Sequence, residues 1–218
     1  MKLGIYGTGG AGIDTFEILE DCPNIMEKWE AIIFIDDFRN ESEFRGCRCF
    51  SFDNFRSLFP IEKMEMVISL GEPKYRMQLY ETVMEYGYRL GKIIHEDTRI
   101  SKSAKIECGA IIHREVIISA DACIGENSYI NHRAMIGHNV NMKKHCHIGG
   151  NAVISGGALI EKASFVGSSA CIRDHISIGE HSIISMGAVV LRDVPPYKIV
   201  IGNPARVVRD NVDEKVFK

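Results

Sequence analysis

The chain has 218 residues, of which 45 % are hydrophobic and 25 % charged, and its formal net charge is −3. This composition is typical of a globular protein with one domain or two small ones, and no long basic or acidic run indicates a nucleic-acid or membrane surface. No apolar run reaches membrane-spanning length, and the first residues reach glycine before they could build a signal-peptide core. We therefore expect a cytoplasmic protein that binds neither nucleic acid nor membrane.

The seven cysteines form an odd set without any C-x-x-C pair, which favours reduced thiols over a disulfide framework. Cys47 and Cys49 are separated by one residue and could form a metal or redox pair. The favoured interpretation is that both belong to an extended strand.

Residues 1–92 predict a small α/β domain with a mainly parallel sheet. In chain order its predicted elements are the strand KLGIYG, a glycine loop, the helix IDTFEILED, the strands EAIIFIDD and MEMVISLG, the helix PKYRMQLYETVMEYG and the strand YRLGKIIH.

The glycine loop GTGGAG follows the first strand and opens the first helix. Its spacing allows backbone N–H groups and the helix dipole to face a phosphate, and it also suits a plain tight turn. Asp36 and Asp37 end the second predicted strand, at the edge where ligands of open α/β sheets bind. A solvated strand end explains the two aspartates equally well.

Every sixth residue from Ile94 to Val190 is aliphatic, at seventeen successive positions. A period of six fits neither a helix nor an alternating strand, but it is typical of a parallel β-helix with three short strands per coil. Small residues recur four positions after each aliphatic, and three hexads make one coil, so the repeat holds a little over five coils. We expect the glycines that follow several aliphatic positions, such as Gly125 and Gly137, to serve tight turns.

The open ends of a β-helix expose strand edges that need covering. We expect the front domain to cover the N-terminal end and the segment after the repeat to cover the other, with its last residues in a short capping helix. The predicted domains are therefore 1–92, 93–194 and 195–218.

The motifs YGTGGAG, FIDD, YINHRAMIGHNV, CHIGGNAVISG and VPPYKIVIGNPARVV resemble those of the left-handed β-helix (hexapeptide-repeat) acyltransferases with a Rossmann-like front domain. That family includes nucleotide-linked amino-sugar N-acetyltransferases and sialic acid O-acetyltransferase-type proteins. The resemblance implies a left-handed coil, a homotrimer, acetyl-CoA or another acyl-CoA as co-substrate, a nucleotide-linked amino sugar as acceptor, and no metal.

Carried over residue by residue, the resemblance implies His132 as general base and His147 as a residue that holds the acyl group or CoA. It also implies a set of further binding residues. Those for the nucleotide-sugar are Gly7, Thr8, Gly9, Gly10, Asp36 and Asp37, and those for the CoA tail are Gly187, Ala188 and Arg206.

The chain departs from the family at two positions. Arg133 follows the base where the family often has an acidic residue, and Ala11 stands where the glycine loop often has a histidine. Either the substrate differs from that of the commonest members, or another carboxylate orients the base.

A neutral histidine is suited to take the proton that an amine loses as it attacks a thioester. By strand alternation His132 points away from the core. His113, His175 and His181 are expected on solvated faces, and His95 has either a junction role or a substrate contact. The histidine spacings do not fit a three-histidine zinc site.

Two alternative functions remain. One is O-acetyl transfer to a sugar or sialic acid hydroxyl, and the other is a binding protein without catalytic activity.

Overall fold

The structure, a computed structural model, describes residues 1–39 and 41–217. The front domain runs through six strands, four helices and one 3-10 turn. In chain order these are β1 (Lys2–Tyr6), α1 (Gly10–Asp21), α2 (Pro23–Met26), β2 (Ile32–Ile35), β3 (Glu43–Phe44), β4 (Cys47–Phe50), α3 (Phe52–Leu58), the turn Ile61–Lys63, β5 (Met64–Ile68), α4 (Pro73–Glu85) and β6 (Arg89–Leu90).

The sheet of the front domain has the order β3-β4-β2-β1-β5-β6, with parallel pairs except between β3 and β4. This confirms the predicted α/β domain with a mainly parallel sheet. The prediction missed the hairpin of β3 and β4, which turns at Arg45 and Gly46 with positive φ at both residues. Cys47 and Cys49 lie on β4, so the extended-strand interpretation is confirmed.

The predicted strand YRLGKIIH is wrong as a single element. Arg89–Leu90 ends the sheet of the front domain, whereas Ile93–Ile94 begins the β-helix in a different sheet. Gly91 separates the two strands and allows the chain to pass from one domain to the other.

Seventeen two-residue strands, β7 to β23, form the β-helix, and the second residue of each is the aliphatic residue of one hexad. They are 93–94, 99–100, 105–106, 111–112, 117–118, 123–124, 129–130, 135–136, 141–142, 147–148, 153–154, 159–160, 165–166, 171–172, 177–178, 183–184 and 189–190. The predicted period is therefore confirmed at every coil.

The strands stack into three parallel sheets, one for each side of the prism. We call these faces A (β7, β10, β13, β16, β19, β22), B (β8, β11, β14, β17, β20, β23) and C (β9, β12, β15, β18, β21). Ile111 pairs with Tyr129 and Tyr129 with His147, so one coil takes three hexads. The aliphatic and the small positions of each hexad fill a continuous buried core between the faces.

The corners of the coil are left-handed turns. Every sixth residue from Gly109 to Gly187 has a φ between 54° and 75°, and most of these residues are not glycine. The glycines after the aliphatic positions have another role, so the tight-turn expectation is wrong. A Cβ at Gly137 would lie 2.7 Å from the nitrogen of Gly156, and one at Gly125 would lie 2.5 Å from the carbonyl carbon of Lys143. Close stacking of neighbouring coils therefore requires these glycines.

The segment after the repeat forms two further strands, β24 (Lys198–Ile201) and β25 (Arg206–Asp210), which extend face A. β24 is parallel to β22 and β25 is antiparallel to β24. The helix expected in the last residues is wrong, because residues 211–217 form turns and irregular backbone, while the β-branched residues before them continue the sheet.

The front domain packs against the outer side of face A. Ile93, Ile111 and Tyr129 share one buried cluster with the first helix and the central strands of the front domain. The domain therefore does not close the N-terminal end of the coil as expected, and Ile100 of face B remains 37 % exposed.

Candidate active site

A cavity of about 620 Å³ lies where the front domain meets face A. Gly10, Ala11 and Asp14 line it from the N-terminal end of α1, and Tyr129 and His147 line it from the β-helix. The fold thus brings the predicted glycine loop and one predicted histidine to the same place, although they are far apart in the sequence.

Aromatic rings form the floor of this cavity. Tyr129, His147 and Phe165 follow one another on face A, each one coil after the last, with ring centroids 5.0 and 4.8 Å apart. Burial lowers the pKa of His147 to about 3, so its imidazole is neutral at physiological pH. His147 can therefore pack against a ligand or hydrogen-bond to it, but it carries no charge.

His132 lies at the corner that follows β13 and is half-buried. The side-chain oxygen Oδ1 of Asn131 bonds both the backbone N–H of His132, at 2.8 Å, and its ring nitrogen Nδ1. Because an amide oxygen only accepts, Nδ1 carries the proton and Nε2 keeps its lone pair. Asn131 lines the cavity, so His132 lies directly beside a cavity-lining residue, and in this tautomer its Nε2 can accept a proton.

The electrostatics of His132 involve both domains. Burial lowers the pKa of His132, the charge of Asp14 on α1 raises it, and that of Arg114 lowers it. Burial also raises the pKa of Asp14. Asp14 is thus a carboxylate of the cavity wall that favours a protonated His132.

Arg133 occupies the position of the missing acidic residue, but its side chain does not line the cavity. Its guanidinium pairs with Glu115 one coil below, and its backbone forms a corner with φ of 59°. The orienting partner of His132 is therefore Asn131, on its other side in the sequence.

His113 is fully buried, so the expectation that it lies on a solvated face is wrong. Its Nε2 is 2.7 Å from the hydroxyl of Tyr129, its ring centroid is 4.5 Å from that of His132, and burial lowers its pKa to about 3. His181 is also buried, 3.1 Å from Glu214, which corrects the same expectation there. His175 is exposed as predicted.

His95 is buried at the junction of the two domains. Its ring nitrogens lie 3.9 Å from Asp21 of α1 and 3.8 Å from Asp97. Of the two roles open to it, this placement favours the junction role.

The glycines of the first loop divide into two pairs. Gly7 has a φ of 115° and a Cβ there would lie 2.6 Å from the carbonyl oxygen of Ser69, while a Cβ at Gly12 would lie 2.1 Å from that of Gly7. Gly9 and Gly10 face open space instead. Gly7 and Gly12 therefore shape the turn, and Gly9 and Gly10 are the ones that a ligand can approach.

The two aspartates after β2 also have different surroundings. Asp36 accepts from the hydroxyl and the backbone N–H of Thr8, and both residues line a second cavity of about 360 Å³. Asp37 accepts from the hydroxyl of Tyr6 and from the N–H of Phe52 at 2.8 Å. Asp37 is thus bonded to its own domain, and Asp36 is the one beside the cavity.

The three residues predicted for the CoA tail are not equivalent. Gly187 is exposed and lies next to Met186, which lines the main cavity. Ala188 is fully buried, its methyl group belongs to the core, and its backbone N–H and carbonyl are bonded to Ser185 and Cys171, so it does not face a ligand in this structure. Arg206 lies on β25 beside a separate cavity of about 280 Å³.

Sequence reasoning missed Arg76, which is fully buried at the domain junction. Its guanidinium donates to the carbonyls of Leu70, Asn127, His145 and Cys146 at 2.7 to 3.0 Å. An arginine in an amphipathic helix gives no sequence signal of this role. Tyr129 and Phe165, in contrast, could have been found by counting three hexads in either direction from His147.

Within residues 1–39 and 41–217, no group of three or more histidine, cysteine or acidic side chains could hold a metal ion. Over the same residues, no helix is long and apolar enough to cross a lipid bilayer.

Residues 2–83 match the family model of the PglD N-terminal domain. The GDP-perosamine N-acetyltransferase of Escherichia coli O157:H7 is 28 % identical over 151 residues, a match that spans 67 % of this chain and 63 % of that protein.

Solved structures resemble the whole chain. A perosamine N-acetyltransferase variant from Caulobacter crescentus, in complex with CoA and GDP-perosamine, is 26 % identical with a TM-score of 0.86, covering 96 % of this chain and 98 % of that one. The acetyltransferase domain of PglB from Neisseria gonorrhoeae, in complex with acetyl coenzyme A, is 26 % identical with a TM-score of 0.87, covering 95 % and 98 %. Both front domain and β-helix are therefore shared with these proteins.

Proposed function

We propose that the chain is a left-handed β-helix acyltransferase with a PglD-type front domain, and that it acts as an acyl-CoA-dependent N-acyltransferase of a nucleotide-linked amino sugar, with acetyl as the transferred group. The observation that carries the proposal is the cavity in which the open end of the glycine loop faces Asn131, the orienting partner of His132. The relatives with solved structures bind CoA, acetyl-CoA and GDP-perosamine, which supports this donor and this class of acceptor.

In the proposed reaction the amine of the sugar attacks the thioester carbon. The C–N bond forms and the C–S bond breaks, while Nε2 of His132 takes the amine proton and then returns it to the CoA thiolate. Such a base contributes on the order of 10² to 10⁴ in rate. Asn131 holds the reactive tautomer, and Asp14 stabilises the imidazolium that forms.

The donor is expected to lie along the corner that leads from Asn131 to Gly187. Met186 and His147 line this part of the cavity. His147 is neutral, so it can position the thioester without competing with His132 for the proton. Gly187 is exposed and can meet the pantetheine chain, whereas Ala188 is buried behind it. Arg206 is reached only if the donor extends beyond this cavity.

The nucleotide is expected at the N-terminal end of α1. Gly9 is the N-cap of this helix and has no side-chain cap, so the first N–H groups are available to a phosphate. Gly10, Thr8 and Asp36 flank the same end, whereas Gly7 and Asp37 support the loop from behind.

Face B supports the proposed homotrimer. Its outward residues Ile117 and Met135 are each 40 % exposed, and they form part of an apolar side that a second copy could cover. We further propose that the enzyme is cytoplasmic, where CoA donors are available, and that its domains are 1–92, 93–194 and 195–218.

A thiol-release assay tests the function. The protein is mixed with acetyl-CoA and GDP-, UDP- and dTDP-linked 4-amino sugars, and free CoA is measured. The matched controls are the 4-hydroxy sugars of the same nucleotides and free sialic acid. Thiol release with the amino sugars but not with the hydroxyl controls supports N-acylation. Release with a hydroxyl acceptor supports O-acylation, and no release with any acceptor contradicts both.

A further inference from the structure

The segment 213–217 folds back from the β-helix onto the front domain. Oε2 of Glu72 accepts from the backbone N–H groups of Val216 at 2.8 Å and Phe217 at 3.0 Å. Nζ of Lys74 donates to the carbonyl of Asp213 at 3.0 Å. Glu72 is only 7 % exposed, so its two bonds are shielded from water and hold the segment, whereas the bond from Lys74 is exposed to solvent.

A second set of contacts fixes the approach of this segment. The carboxylate of Glu214 lies 3.1 Å from Nδ1 of His181, and the side chain of Asn211 donates to the carbonyl of His181 at 2.7 Å. His181 and Asn211 are both buried. Residues 211–217 are therefore held at one end by His181 and at the other by Glu72.

The segment ends at the candidate active site. Val216 and Phe217 line the same cavity as Asn131 and His147. The ring of Phe217 meets that of Phe165 edge-on at a centroid distance of 5.7 Å, and a Cβ at Gly71 would lie 3.4 Å from it. Phe217 is nevertheless 55 % exposed, so much of its apolar surface is left for a ligand to cover.

We propose that residues 213–217 form a wall of the acceptor subsite and that Phe217 contacts the sugar and helps to select it. This inference rests on the proposed function, because it assigns a residue to the sugar of that reaction. Phe217 and Phe165 together present an apolar wall, which fits the C–H face of a deoxygenated amino sugar better than a fully hydroxylated one.

The anchors of the segment indicate the acceptor rather than the donor. Glu72 and Lys74 belong to the front domain, on the loop that follows β5 and the first turn of α4. β5 is the parallel neighbour of β1, so this loop lies beside the glycine loop that is proposed to hold the nucleotide. The donor path along Gly187 is formed by the β-helix alone.

Calorimetric titration of matched ligand pairs tests the assignment. Each pair is a nucleotide-linked 4-amino sugar and its parent nucleotide, for example GDP-perosamine and GDP, and the pair with the tightest wild-type binding is used. Phe217→Ala is expected to weaken binding of the nucleotide-sugar roughly tenfold and that of the nucleotide by less than twofold. Phe217→Tyr, which keeps the ring, is expected to retain most of the affinity.

Lys215→Ala is the control within the same segment, because Lys215 lies over the ring of Tyr75 and does not line the cavity. It is expected to bind both ligands like the wild type. Glu72→Gln removes the charge that receives the two N–H groups, and it is expected to weaken nucleotide-sugar binding in the same direction as Phe217→Ala. Thermal denaturation of each variant shows whether it is folded.

Two outcomes would overturn the inference. One is unchanged nucleotide-sugar affinity in Phe217→Ala, and the other is equal weakening of nucleotide and nucleotide-sugar. The titration contains no acyl donor, so it does not depend on catalysis. If Phe217→Ala shows the sugar-specific loss while the wild type releases no thiol with any acceptor, the wall assignment stands and the acyltransferase function fails.

Discussion

The β-helix and the front domain place their functional groups by different means. In the β-helix, each outward side chain follows from the register, since Tyr129 pairs directly with His147 and His147 with Phe165. In the front domain, side-chain hydrogen bonds set the loops, as when Asp37 receives the N–H of Phe52 and the hydroxyl of Tyr6. The coil can therefore carry a reactive residue at almost any outward position, whereas several carboxylates of the front domain are needed for its own structure.

The largest expected effect is on the β-helix side. His132→Ala should lower kcat by about 10²-fold or more, because the amine proton loses its acceptor, while nucleotide-sugar affinity should change by less than twofold. Steady-state kinetics measures kcat, and calorimetry measures the affinity for the nucleotide-sugar. His138→Ala is the matched control, since His138 lies at the next corner of the coil and is solvent-exposed. An unaltered kcat would mean that the base lies elsewhere or that the thiolate takes the proton directly.

The second prediction concerns the joint between the two regions. Arg76→Met leaves several buried carbonyls without a donor, and we expect a loss of about 3 kcal/mol in the free energy of unfolding. Thermal denaturation should show the melting temperature falling by roughly 6 to 12 °C. Arg99→Met, on an exposed strand of face B, is the control. A melting temperature equal to that of the control would show that the front domain is held by its apolar contacts alone.

The third prediction tests whether the front domain acts on the base across the cavity. The activity kcat/KM should fall as His132 becomes protonated, and burial places its pKa below the usual value of about 6.5. Asp14 raises that pKa, so Asp14→Asn should move the acidic limb of the pH profile to lower pH, by roughly a few tenths of a unit.

The other charges around His132 stay in place in that experiment. Arg114, Arg133 and His95 all lower its pKa, and His113 is neutral beside it. Glu17→Gln, one turn further along α1 and exposed, is the control and should leave the limb where it is. An acidic limb that moves to higher pH, or that does not move, would contradict the assignment of Asp14.

The smallest expected effect separates the two aspartates after β2. Asp37→Asn should lower the free energy of unfolding by about 1 kcal/mol, because a neutral amide replaces the charged carboxylate that accepts from Phe52. Nucleotide affinity should stay within twofold of the wild type. Asp36→Asn should instead weaken nucleotide binding, because Asp36 and Thr8 line the cavity beside the glycine loop. Denaturation and calorimetry on both variants give the comparison. The reverse pattern would move the nucleotide site to Asp37.

Much of the β-helix could be predicted because its period is local. A step of one hexad places every strand from Ile94 to Val190, and the same count puts His147 beside Tyr129. The burial of His113 could not be predicted in this way, since it depends on the side chains of Tyr129 and His132 in the next coil, which pack against its ring. The resemblance supplied His132, but Asn131 and Asp14 became visible as its partners only in the folded chain.

The least predictable parts depend on long-range contacts between unlike segments. Arg76 reaches carbonyls at the same corner of two successive coils, and Glu72 accepts hydrogen bonds from the backbone N–H groups of residues 216 and 217. Neither pattern has a period or a motif. The predicted capping helix failed for the same reason, since the last residues are held by long-range contacts with His181 and Glu72.

The fixed coil length restricts how this protein can change in size. Each coil pairs only with the one before it and the one after it, at a constant spacing of three hexads. A single-residue insertion would exchange inward and outward side chains for the rest of its strand, whereas the gain or loss of a whole coil would preserve both. A whole coil added after His147 would leave the register of His132 and His147 unchanged, but it would move β25 and residues 213–217 away from Glu72 and Lys74 of the front domain. The number of coils is therefore linked to the contact between the C-terminal segment and the front domain.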